Sequence, residues 1–161
     1  MARLLLVEDE TALRRSMTKG LEEEGHEVLT AVSGDEAVLI STREPLDCII
    51  LDLLLPDGDG IELLRRLHQL NPHTCILIIT AYATVENAVE AFKAGAFDYI
   101  VKPVIFADLL NKLDRLYQFR SLYFENQTLR RELARKEGLD DVIGSSDAGA
   151  HLLRTWVSGL S

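Results

Sequence analysis

The stretch CIILDLLLPDGDG, residues 48–60, carries one acid, Asp52, within a run of Ile and Leu that otherwise has the composition of a buried strand. A carboxylate buried without a partner costs several kcal/mol or shifts its pKa until it is neutral. Asp52 therefore needs partners from elsewhere in the chain. The strand reads as ending at Leu51, which puts Asp52 just past the buried part, at the rim of a sheet. Pro56, Gly58 and Gly60 have turn chemistry and fold the next loop back towards that rim.

Working outward, a short apolar run followed by a helix-period segment occurs five times. The runs are RLLLV (3–7), EVLTAV (27–32), CIIL (48–51), ILIIT (76–80) and FDYIV (97–101), most of them continuous, as in parallel strands covered on both faces. Helical segments follow at 11–24, 35–42, 61–70 and 85–94, stopped by Gly25, Pro45, Pro72 and Gly95, and a fifth begins near Phe106. This alternation predicts an α/β fold: an open parallel sheet, helices on both faces, right-handed crossovers. In such a sheet the functional site lies at the carboxyl ends of the strands, beside the topological switch point.

Glu8 and Asp9 stand at the end of the first strand, Asp52 at the third, Thr80 at the fourth, and Lys102 with Pro103 at the fifth. Three carboxylates and one ammonium leave a net charge of −2, which a hard divalent cation such as Mg²⁺ neutralises while keeping waters and substrate oxygens in its octahedron. A phosphoryl group is the natural further ligand. Asp52, held ionised, then acts as a nucleophile towards phosphorus and forms an acyl phosphate. Lys102 pairs with the transferred oxygens and the Thr80 hydroxyl donates to another. The competing reading is helix capping by strand-end acids, which accounts for Asp9 or Glu10 alone but for neither the lysine nor the threonine.

The chain has 161 residues and a net charge of −9, room for one well-buried domain and an appendage. No apolar run approaches a membrane span, and MARLLLVEDE meets acids too early for a signal peptide, so the expected location is the cytoplasm with no membrane partner. Cys48 and Cys75 read as small buried apolar residues, and the four histidines lack ligand spacing. Residues 1–105 carry 18 acids and 9 bases, against 8 and 8 in residues 106–161, so direct nucleic-acid binding by this chain is not expected. The bases at Arg120, Arg130, Arg131, Arg135 and Lys136 read as a solvated helix face.

VEDE at 7–10, LDLLLPDGDG at 51–60, TAYA at 80–83 and DYIVKP at 98–103 resemble the signature set of the receiver domain of two-component response regulators, a match over residues 3 to about 118. The resemblance implies a flavodoxin-like, CheY-like doubly wound sheet of order 2-1-3-4-5 and phosphorylation of Asp52 by a sensor histidine kinase. It further implies Mg²⁺ held by Glu8, Asp9, Asp52 and the backbone carbonyl of Leu54, with Thr80 and Lys102 as the family's hydroxyl and lysine. Tyr99 matches an aromatic whose rotamer follows that hydroxyl, although an aromatic there also suits simple packing. Lys102-Pro103 matches a pair whose peptide bond is usually cis. Glu8 replaces the commoner Asp, which lengthens the arm and makes Asp9 the firmer metal ligand; Leu55 replaces a frequent Met.

No Gly or Pro interrupts Phe106 to Glu137, so the fifth helix extends for up to about 30 residues, longer than a receiver needs. Phe119, Leu122, Asn126, Leu129 and Leu133 follow coiled-coil spacing with Asn126 at an a position, which favours a parallel homodimer; one amphipathic helix packing back on its own domain is the alternative. YFENQTLRRELARK resembles the linker of NtrC-type activators that work with sigma-54, and LDDVIGSS at 139–146 looks like the opening of their ATPase domain. The expected organisation is a receiver over 1–118, a coiled-coil linker over 119–137, and over 138–161 the start of a truncated or absent output domain. No phosphate-binding loop is present. The chain reads as the regulatory part of a larger activator or a truncated relative of one.

The leading function is a phosphoacceptor, not an enzyme, that switches dimer geometry through the linker and through the face of the fourth helix, fifth strand and fifth helix. A stand-alone adaptor that binds a partner when phosphorylated is the alternative. A Mg²⁺-dependent phosphohydrolase ranks last, because that class needs a second acid two residues after the nucleophile, where this chain has Leu54.

Overall fold

Ten elements alternate along the chain in a computed structural model that describes residues 2–81 and 84–137. They are β1 (Arg3–Val7), α1 (Thr11–Glu23), β2 (Glu27–Ala31), α2 (Gly34–Arg43), β3 (Cys48–Asp52), α3 (Gly60–Leu70), β4 (Cys75–Thr80), α4 (Val85–Ala94), β5 (Asp98–Val101) and α5 (Phe106–Glu137). The strands form one sheet in the order β2-β1-β3-β4-β5, and every pairing is parallel. The chain order departs from the spatial order between β1 and β3, the topological switch point of the sheet, in the order that the family resemblance implied.

The central strands are continuous apolar runs because both of their faces are covered. On one face Leu5 and Val7, Ile49 and Leu51, and Ile76 and Ile78 cluster with Ala37 of α2, Leu64 and Leu67 of α3, and Ala91 and Ala94 of α4. The alternate residues Leu4, Leu6, Ile50, Leu77 and Ile79 are also fully buried, as are Met17 and Leu21 of α1 and Leu109, Leu113 and Leu116 of α5. Each such aliphatic side chain contributes roughly 1.5–3 kcal/mol on burial, so the strands that carry the site are its most strongly held part.

Caps set where the helices begin. Ser33, Asp59 and Thr84 accept from the N–H groups of Glu36, Ile61 and Asn87, and so start α2, α3 and α4. Gly60 opens α3 hard against the Leu53 carbonyl oxygen, where a Cβ would collide. Gly95 ends α4 in the left-handed region, at φ 117°.

Two expectations are corrected. Asp52 is not past the strand: it is the last residue of β3, in register with Ile79 of β4, and only 1% exposed. Val32 lies outside β2 and is exposed, since the chain turns there into the Ser33 cap. Cys48 and Cys75 stand at paired positions of β3 and β4, the first buried and the second half-buried.

The chain divides into two units, one ending at Leu116 and the next starting at Tyr117 within α5. In the second unit Phe119 and Asn126 are half-buried while Leu122, Leu129 and Leu133 are exposed. The expected output-domain start at 138–161, and Tyr82 and Ala83 of the TAYA motif, lie outside the described residues.

Candidate functional site

Parallel strands bring their carboxyl ends to one edge, and there the ladder runs one residue beyond β1, β3 and β5. Glu8 donates its N–H to the Ala31 carbonyl at 3.0 Å, Leu53 to Ile79 at 3.1 Å, and Lys102 to Thr80 at 2.8 Å. These bonds seat Glu8, Asp52 and Lys102 on the rigid sheet, where positional error is smallest.

The Lys102 ammonium then joins the two buried acids. Its Nζ is 2.9 Å from Glu8 Oε1 and 2.9 Å from Asp52 Oδ2. Oδ1 of Asp52 accepts from the Leu54 N–H at 2.9 Å, so both oxygens of the buried aspartate are satisfied. Glu8 is completely buried, yet its Oε2 has no hydrogen-bond partner among the described residues. Burial, and next the neighbouring Asp52, push the Glu8 carboxyl up to about 7 against the pull of Lys102. Burial acts to lower the Lys102 pKa, but the carboxylates of Asp52 and Glu8 outweigh it and raise it.

The donor set fits a hard cation. One carboxylate oxygen each from Glu8, Asp9 and Asp52 lie within 4.8 Å of one another. Carboxylate oxygens of this number and type suit a divalent ion with oxygen preference. Asp9 is exposed and open to solvent, whereas Glu8 is sealed beneath it.

The remaining predicted residues occupy different places. Thr80 is buried at the end of β4, and its carbonyl accepts from Lys102. The Lys102–Pro103 peptide bond is cis. Tyr99 is half-buried on β5 against the core cluster, its ring edge-on to Phe92 of α4 with centroids 5.9 Å apart. Phe119, Leu122, Asn126, Leu129 and Leu133 lie on α5 in the second unit.

Two contacts have no counterpart in the sequence reading. Arg14 of α1 donates from Nη1 to the backbone oxygens of Glu8 at 3.0 Å and Asp9 at 3.3 Å. Helical side chains lean towards the N-terminus, so an arginine four residues after Glu10 carried a readable signal. Asp57 accepts from the N–H groups of Gly34 at 3.0 Å and Asp35 at 3.2 Å, tying the β3–α3 loop to the start of α2. That partner is 23 residues away, and no local pattern announces it.

A doubly wound parallel sheet with an acidic, lysine-braced cluster at its carboxyl edge defines the class of protein. The profile of the response regulator receiver domain matches residues 4–114, and the chain belongs to that family. Receiver domains of this kind operate with sensor kinases in phosphorylation-dependent signalling. The C4-dicarboxylate transport transcriptional regulatory protein DctD of Pseudomonas aeruginosa is 33% identical over 161 residues, covering 98% of this chain and 34% of DctD. A CheY-like receiver domain protein from Methanospirillum hungatei JF-1 superposes with a TM-score of 0.74 at 36% identity, covering 76% of this chain and 98% of that one. NtrX from Brucella abortus gives 0.75 at 30% identity, covering 80% and 30%. The chain spans about a third of the length of curated relatives such as DctD and AlgB.

Proposed function

We propose that Asp52 accepts a phosphoryl group from a phosphohistidine of a sensor kinase, and that the acyl phosphate switches the chain between two association states. The observation that carries this reading is the pair of contacts from Lys102 to Asp52 and Glu8, each 2.9 Å long, beside the Oε2 of Glu8 that has no partner among the described residues. A carboxylate oxygen of Asp52 attacks phosphorus; the O–P bond forms as the N–P bond breaks, and the imidazole leaves with the bonding pair and takes a proton from solvent.

Glu8, Asp9 and Asp52, with the carbonyl of Leu54, would hold Mg²⁺, which when bound supplies countercharge for the phosphoryl oxygens. Lys102 exchanges one carboxylate contact for a phosphoryl oxygen, and the Thr80 hydroxyl turns to donate to another. Tyr99 follows Thr80, which alters the face that includes Phe92. The chain is thus a phosphoacceptor with no separate substrate to turn over.

Residues 1–118 act as the receiver, 119–137 as a linker, and 138–161 as the start of an output domain of the NtrC type that works with sigma-54. Likeness to DctD over 98% of this chain supports that output. Leu122, Leu129 and Leu133, 48%, 56% and 60% exposed, support a linker seam that a second copy covers. Exposed Val85, Val89 and Phe92 on α4 and Val101 on β5 support a second dimer face. The place of action is the cytoplasm, where a kinase partner is reached.

Treatment with acetyl phosphate and Mg²⁺, read by intact-protein mass spectrometry, tests the chemistry. One phosphoryl group is expected on wild type and none on Asp52→Asn or in EDTA. Equal modification of Asp52→Asn would overturn the assignment. Light scattering with Mg²⁺ and beryllofluoride tests the switch, which predicts a change of mass in wild type and none in Asp52→Ala.

A further inference from the structure

The loop between β1 and α1, Glu8 to Glu10, carries two of the three clustered acids and lacks a side-chain cap. Its last residue, Glu10, is the N-cap of α1 but makes no side-chain capping bond, and the first turn of α1 contains no acid. Glu8 is tied to the sheet by its own N–H, bonded to Ala31 at 3.0 Å. Asp9 has no such strand bond and is exposed.

Arg14 supplies the missing tie. It is half-buried in α1, and Nη1 reaches back to the carbonyl oxygens of both Glu8 and Asp9. The arrangement has two chemical consequences. Both bonds end on main-chain oxygens, so the guanidinium takes none of the carboxylate lone pairs that a cation needs. The two peptide groups are also held relative to each other before any ion arrives, and ordering them in advance lowers the cost of binding.

We propose that Arg14 is a positioning residue for the divalent-cation site: by clamping the backbone of Glu8 and Asp9 it presets their carboxylates beside Asp52. The proposal rests on the reading of Glu8, Asp9 and Asp52 as cation ligands. Partners that orient metal ligands typically change affinity by about 10- to 100-fold when removed. Arg15, exposed on the next position of the same helix, is the matched control of equal charge; among the described residues the bonds to the loop carbonyls come from Arg14.

Calorimetric titration of the whole chain with Mg²⁺ at neutral pH tests this. Arg14→Met, which keeps the aliphatic stem and removes the donors, is expected to weaken binding roughly tenfold. Arg14→Lys should recover part of that loss, and Arg15→Met should bind like wild type. With wild-type binding present, equal affinity in Arg14→Met overturns the proposal, and so does an equal loss in Arg15→Met, which would reduce the effect to net charge. Loss of the helical circular dichroism of Arg14→Met in EDTA overturns it too, because the arginine would then serve the fold and not the site. Absence of any Mg²⁺ binding by wild type removes the metal-site reading itself and this inference with it.

Discussion

The ammonium of Lys102 lies 2.9 Å from Oδ2 of Asp52 across 50 residues of sequence, joining the end of β5 to the end of β3. Asp52 is almost wholly buried and Lys102 is about a fifth exposed, so the pair sits where water screens it little. Lys102→Met leaves two buried acids without this cation. It should destabilise the metal-free protein at neutral pH by roughly 3 kcal/mol, measured by urea unfolding in EDTA. An unchanged unfolding midpoint would mean that the bridge is not formed in solution.

Glu8 gives the metal-free protein a distinct pH dependence. Its folded pKa, about 7, stands above the unfolded value of 4.5, so the native state holds the proton more tightly. The associated stability is fully present below the unfolded pKa and is lost as pH rises through the folded one. Between about pH 4.5 and 7 the wild type should therefore lose stability relative to Glu8→Gln, as followed by unfolding in EDTA. A constant difference across that window would refute the assignment.

Asp57 works in the opposite sense. The N–H of Gly34, assisted by those of Asp35 and Asp57 itself, outweighs partial desolvation and holds this carboxyl below its ordinary range. Its contribution is present above the unfolded pKa and lost as pH falls through the folded one. Asp57→Ala should melt a few degrees below wild type at neutral pH, and the gap should close in acid. A thermal scan in which the gap persists at low pH would point to backbone effects in the loop.

The edge-on pair of Phe92 and Tyr99 links β5 to α4. Tyr99→Ala should leave phosphorylation of Asp52 at the wild-type level while abolishing the mass change with beryllofluoride. Light scattering that responds equally in both proteins would exclude a switching role for Tyr99.

In the second unit Leu129 is 56% exposed, so a charge there costs little within a single chain. Leu129→Asp should prevent association through α5 with a change in melting temperature of no more than a degree or two. Persistence of a dimer would remove α5 from the interface.

Much of this was legible because the central strands are buried on both faces. RLLLV, CIIL and ILIIT had to be continuous apolar runs, and their alternation with helix-period segments leaves few topologies for so short a chain. Once the sheet is parallel, Glu8, Asp52, Thr80 and Lys102 share an edge by geometry, since each closes or follows a strand. The end of β3 was misread because the string of residues contains no record of the ladder. Asp52 remains in the strand because β4 runs beside it as far as Thr80.

Composition and order thus determined the layers, the direction of the sheet and the kinds of group that gather at its edge. Only the tertiary structure decided how those groups differ. Glu8 is sealed because its N–H continues the pairing with β2, while Asp9, one residue further on, meets water. Lys102 faces both buried acids only when β5 has been laid two strands away from β3. Arg14 and Asp57 acquire their partners from packing of a helix and a loop. Hydrogen bonds of that kind depend on distances in space, which a pattern of residue types along the chain does not encode.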